Sequence, residues 1–136
     1  MRLPRQRSVE VSPPTAGNTW APEAFWDAKR GTYVVYWASK LFADNDPGHT
    51  GDTYNRMMYA TTRDFVTFSP AKVWIDPGYS VIDSTIIEDK GTYYRYTKDE
   101  RNNTSTTPCS KFITAEKSAD LLNPKYDFVA ECIGKA

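Results

Sequence analysis

Two stretches decide the fold. They are Ala21-Pro22-Glu23-Ala24-Phe25-Trp26-Asp27-Ala28-Lys29-Arg30-Gly31-Thr32-Tyr33-Val34-Val35-Tyr36 and Val81-Ile82-Asp83-Ser84-Thr85-Ile86-Ile87-Glu88-Asp89-Lys90-Gly91-Thr92-Tyr93-Tyr94-Arg95-Tyr96. Laid over one another without a gap, they sit sixty residues apart and share Gly-Thr-Tyr-x-x-Tyr. In this alignment Glu23 and Asp83 are repeat-equivalent carboxylates. Each stretch reads as a β-hairpin, because Asp27-Ala28-Lys29-Arg30-Gly31 and Glu88-Asp89-Lys90-Gly91 are turn material between runs of aromatic and β-branched residues.

A second pair of strands is expected in each copy: Asn55 to Thr61 and Ala71 to Ile75, then Lys111 to Ala115 and Phe128 to Cys132. Helical periodicity is confined to one short turn around Ser118 to Leu122. A period of sixty with four strands per unit describes a propeller blade, somewhat longer than the roughly 40–50 residues of the commonest kinds. The expected fold is therefore all-β, with blades of four antiparallel strands over 18–77 and 78–136 and residues 1–17 as the tail of a preceding blade. Closed propellers have at least about four blades. The whole of 1–136 then reads as one partial propeller domain.

Lysine plus arginine and aspartate plus glutamate balance at 17 each, so no net field argues for nucleic acid, a membrane surface or an acidic partner. Aromatic residues make up 14% of the chain, which suits strands and also suits flat platforms for sugar rings. Trp37, Tyr36 and Tyr93 read as sheet core. Cys109 and Cys132 could pair, but their spacing matches neither a metal site nor a redox motif, and both read as unpaired and structural. Met1 to Arg7 is basic with no apolar run behind it, so no signal peptide is expected. Within the insertion Ser39 to Thr53, Asp44-Asn45-Asp46-Pro47-Gly48-His49 invites comparison with a calcium loop, but Pro47 and the missing distal glutamate leave a polar turn. His49, the single histidine, reads as a solvated loop residue, and Asn102 to Ser105 reads as a polar loop. Neither a metal nor a cofactor is expected.

Asn18-Thr19-Trp20-Ala21-Pro22-Glu23, followed by Tyr33-Val34-Val35-Tyr36-Trp37-Ala38-Ser39, resembles the second blade of glycoside hydrolase family 43. Val81-Ile82-Asp83-Ser84-Thr85, followed by Tyr93-Tyr94-Arg95-Tyr96-Thr97-Lys98-Asp99-Glu100, resembles the third. The resemblance covers about residues 8 to 136. It implies a five-bladed β-propeller glycosidase that hydrolyses arabinan-, xylan- or related plant-type linkages with inversion, using a general base, a general acid and a helper aspartate that orients the acid and tunes its pKa. Only the helper aligns here, at Asp83. Trp20 resembles the tryptophan that walls the sugar subsite, and Glu23 falls beside it as a substrate-side or rim residue. A plainer reading of Asp83 is a strand-end carboxylate bonded to local amides.

Neither proton-transfer residue of the family aligns with this sequence; Glu131 is nearest to the acid by position but precedes its motif. The chain alone is expected to be inactive. A non-catalytic saccharide-binding piece and a gene-model fragment stand as alternatives. The family suggests an extracellular setting, and unpaired blade faces predict an aggregation-prone chain.

Overall fold

The computed structural model describes residues 5–136, and every regular element among them is a strand. The order is β1 Trp20–Asp27, β2 Thr32–Lys40, β3 Asn55–Thr62, β4 Lys72–Ile75, β5 Val81–Asp89, β6 Thr92–Asp99, β7 Ile113–Ser118 and β8 Asp127–Ile133. They form two four-stranded antiparallel sheets, β1-β2-β3-β4 and β5-β6-β7-β8, each laid out as a propeller blade. The expected strands are all present, with β7 starting two residues later than the sequence suggests because Lys111 and Phe112 are held in the preceding loop by bonds to Asp99 and Cys109. Around Ser118 to Leu122 the chain makes one short turn and no helix: Asn123 N donates to Asp120 O at 3.2 Å, while the amides of Asp120 and Leu122 donate to the Ser118 hydroxyl and the Asp120 carboxylate.

The strand registers correct the ungapped repeat. Glu23 pairs with Tyr36, whereas the residue paired with Tyr96 is Thr85. With β2 and β6 aligned sixty residues apart, β1 and β5 therefore align sixty-two apart. Asp27 closes on Thr32 across a four-residue turn, while Asp89 closes on Thr92 across Lys90-Gly91, both at positive φ (49° and 83°). Such a two-residue turn matches the right-handed twist of its strands. The longer turn survives because Asp27, fully buried, accepts from the amides of Lys29 and Arg30 and ion-pairs with Arg30 at 2.8 Å. Asp83 is thus the counterpart of Ala21, and Glu23 the counterpart of Thr85.

The main core lies between the blades. Val34, Tyr36 and Ala38 of β2 with Met57 of β3 face Val81 of β5, while Trp74 and Ile75 of β4 meet Leu121. Tyr36 and Trp37 are buried as expected, and Tyr93 packs at the margin with its ring edge-on to Phe25. The opposite face of the first blade buries Trp37, Met58 and Ala60 under Val11, Leu41 and Phe68. Polar links join the blades: Trp74 Nε1 donates to Leu121 O at 3.3 Å, and Arg30 grips Asp120 with two bonds of 2.8 and 3.1 Å beside Lys29 at 2.7 Å. These cations hold the Asp120 carboxyl well below the usual carboxylate range, Arg30 first and Lys29 second.

Cys109 and Cys132 form a disulfide, contrary to the unpaired reading. The loop after β6 folds back over the end of β8 and brings the two Cα atoms to 4.5 Å, a proximity that depends on strand order and cannot be read from a separation of 23 residues. In the other insertion Asp46 spends its carboxylate on the amides of Thr50 and Gly51 and on the Thr50 hydroxyl, which makes it the organiser of a turn. His49 is not simply solvated. Its ring stacks on Phe42 at 4.6 Å and its Nε2 lies 3.1 Å from Pro14 O, tying this loop to the N-terminal segment.

Candidate functional site

The edge strands β1 and β5 are where the two blades converge. Thr85 Oγ1 donates to Glu23 Oε2 at 3.0 Å, and Tyr36 Oη donates to the same oxygen at 2.9 Å. Equivalent positions of successive blades are therefore in direct contact along this line. The Tyr36 phenol is pushed up, mainly by burial and then by its bond to the Glu23 carboxylate. Because both bonds end on Oε2, Oε1 of this exposed glutamate has no partner among the described residues. An oxygen so presented can accept from a sugar hydroxyl.

Asp83 stands at a break in the β5 ladder. The pairing shifts between Ile82 and Thr85, leaving Asp83 and Ser84 as a bulge with Asp83 at φ 52°. The same bulge recurs in β1 between Trp20 and Glu23, with Ala21 at φ 46°. A non-glycine residue at such a φ is disfavoured, and bulges re-aim side chains. Since the strain is shared with Ala21, it belongs to the blade; what distinguishes Asp83 is the carboxylate mounted on it. Ser84 anchors the bulge from beneath, its buried hydroxyl 2.8 Å from Thr97 Oγ1. The Asp83 carboxylate is exposed and makes no hydrogen bond or ion pair among the described residues, which removes the plainer reading of a carboxylate bonded to local amides.

Trp20 opens β1 opposite Ala38 and is 53% exposed, so most of its indole face is free for an apolar partner. Asp83, Trp20 and Glu23 lie on neighbouring edge strands, but no bond joins Asp83 to the other two. Glu131 sits on β8, at the far edge of its sheet from Asp83. Thr85 and Tyr36, which fix Glu23, escape the ungapped alignment. The count between aspartate and glycine in the two turns, Asp27 to Gly31 and Asp89 to Gly91, was the signal that could have found them.

Residues 2–136 match the glycosyl hydrolase 43-related family, described as a probable glycosyl hydrolase domain. The chain belongs to this family. It is also similar to an α-L-arabinofuranosidase of Bifidobacterium longum subsp. longum, 41% identical over 126 residues. That match takes in 86% of this chain but 11% of the relative, so the chain spans about a tenth of that protein's length.

Proposed function

We propose that these two blades form part of an inverting glycosidase acting on arabinofuranosyl or related linkages of plant-type saccharides, in which Asp83 orients the general acid and raises its pKa. The observation that carries this is the free Asp83 carboxylate, exposed on the edge strand where the blades meet and aimed by a bulge that Ser84 locks. Inversion requires an acid and a base about 6.5–9.5 Å apart across the sugar, and the acid must hold its proton near neutral pH. A carboxylate beside it does this, because two like charges resist ionising together. Trp20 supplies a stacking face and Glu23 Oε1 an acceptor for the same sugar. The acid and the base come from other blades, and the 136 residues alone do not turn over substrate. The arabinofuranosyl preference rests on the relative's activity. An oxidising, extracellular setting is favoured by the Cys109–Cys132 bond.

The test is Asp83→Asn in an enzyme containing this domain, assayed on nitrophenyl arabinofuranoside across pH. The expected result is a kcat lowered by about 10²-fold with KM little changed. Removing the neighbouring charge lets the acid ionise earlier, so the basic limb of kcat moves to lower pH. An unchanged profile with unchanged kcat would overturn the role of Asp83.

A further inference from the structure

The segments that carry Trp20 and Asp83 are both irregular. Ladder pairing is interrupted between Trp20 and Glu23 in β1 and between Ile82 and Thr85 in β5, with Ala21 and Asp83 at positive φ. A bulge leaves its extra residue without ladder bonds, so strand pairing alone does not fix where these side chains stand relative to one another. Just past the bulges, the Thr85–Glu23 bond at 3.0 Å ties one edge strand to the other. A second tie lies just ahead of them in the chain.

Asn55, the first residue of β3, is 4% exposed. Its Oδ1 accepts from Asn18 Nδ2 at 3.0 Å, and its main-chain N–H donates to the Ser80 hydroxyl at 3.3 Å, with its own Nδ2 3.5 Å from the same oxygen. Asn18 stands two residues before Trp20, and Ser80 three before Asp83. Asn18 is otherwise bound to its own blade: Nδ2 also donates to Ala38 O at 3.2 Å, and Oδ1 accepts from Lys40 N at 2.8 Å. Its main-chain carbonyl accepts from the Ser39 hydroxyl, which in turn accepts from Trp37 Nε1 at 3.2 Å. On the other side Ser80 O accepts from Glu100 N at 2.9 Å, at the end of β6. Asn55 thus joins an anchor on the first blade to an anchor on the second. An apolar side chain in its place would leave Asn18 Nδ2 short of an acceptor, so the network holds only as a whole.

We infer that Asn55 is a positioning residue for the saccharide site: through Asn18 and Ser80 it sets the place of the Trp20 ring relative to the Asp83 carboxylate, so that a sugar stacked on the one is held in register with the other. The roles of Trp20 and Asp83 in this inference rest on the function proposed above, whereas the tie between their segments rests on the hydrogen bonds alone. A misplacement of about 1 Å is enough to cost about 10²-fold in rate.

The tie is cut at two points, by Ser80→Ala and by Asn55→Leu, in an enzyme containing this domain, and Ser80→Thr serves to restore the hydroxyl. Each variant is assayed on nitrophenyl arabinofuranoside across pH beside Asp83→Asn. Ser80→Ala is expected to raise KM and lower kcat, for a loss of about tenfold in kcat/KM, and to move the basic limb of kcat in the same direction as Asp83→Asn. Ser80→Thr is expected to restore all three. A merely structural contact would lower the melting temperature and leave the pH profile in place. Asn55→Leu is expected to match Ser80→Ala; where it does not fold, Ser80→Ala decides. If Asp83→Asn is impaired while Ser80→Ala keeps the parent's kcat/KM and pH profile, or suffers a loss that Ser80→Thr fails to restore, the role of Asn55 is overturned and that of Asp83 stands. If Asp83→Asn is itself silent, the reading of Asp83 falls. In that case a raised KM in Ser80→Ala that Ser80→Thr restores supports the tie through Trp20, and an unchanged KM overturns it.

Discussion

Glu23 and Thr85 occupy the same place in successive blades and are hydrogen-bonded to each other at 3.0 Å. The contact joins the two hairpins at their inner edges, and Tyr36 shares the same carboxylate oxygen. Thr85→Val should cost about 0.5–1.5 kcal/mol, the net worth of an ordinary hydrogen bond. Urea unfolding of the variant measures it, and a loss near zero would mean water replaces the bond without penalty.

The buried phenols set an alkaline limit. Burial pushes both Tyr36 and Tyr126 above the ordinary phenol value of about 10. Their contribution is fully present below that value, and it is lost as pH rises through the raised folded values, because the unfolded chain releases protons that the folded chain keeps. Stability should be level approaching pH 10 and fall above it. Tyr36→Phe should flatten part of that fall, as followed by urea midpoints against pH.

The clasp between Arg30 and Asp120 behaves in the opposite sense. The Asp120 carboxyl is held down chiefly by Arg30, so its contribution is present above the ordinary aspartate value of about 3.9 and is lost as pH falls through the folded one. Both partners are partly solvated, which limits the effect. Asp120→Asn should cost on the order of 1 kcal/mol, less at high salt. Equal losses at low and high salt would show that packing, not charge, is responsible.

Reduction of the Cys109–Cys132 bond, which closes a separation of 23 residues, should lower stability by about 2–4 kcal/mol. Denaturation with and without dithiothreitol reads this out. A thiol assay on the unreduced, unfolded chain should find no free cysteine.

Backbone and side-chain roles separate at Asp83. Glycine adopts φ 52° without strain, so Asp83→Gly should keep or slightly raise the melting temperature, whereas β-branched Asp83→Val should cost about 1–3 kcal/mol. If Asp83→Gly melts well below the parent, the carboxylate has a structural role that the fold does not reveal.

Strand existence was legible because alternating aromatic and β-branched runs bounded by turns that run from an aspartate to a glycine carry their own period of two, and the Gly-Thr-Tyr-x-x-Tyr repeat announced two similar units. Asp83 and Trp20 were named as candidate site residues through the resemblance. Thr85 and Tyr36 as partners of Glu23 were not, because a two-residue difference between turns shifts one strand against another while leaving every local pattern intact.

The sequence by itself determined the all-β class, the two-blade period and the membership that residues 2–136 share with a glycosidase family. Only the tertiary structure decided that Glu23 answers to Thr85, that Cys109 meets Cys132, and that Arg95 pairs with Glu116 beneath the rings of Tyr126 and Trp74. The physical reason is common to all three. Local periodicity fixes what a strand is, whereas bulges, turn lengths and the packing of one sheet on the next fix which distant residues it meets.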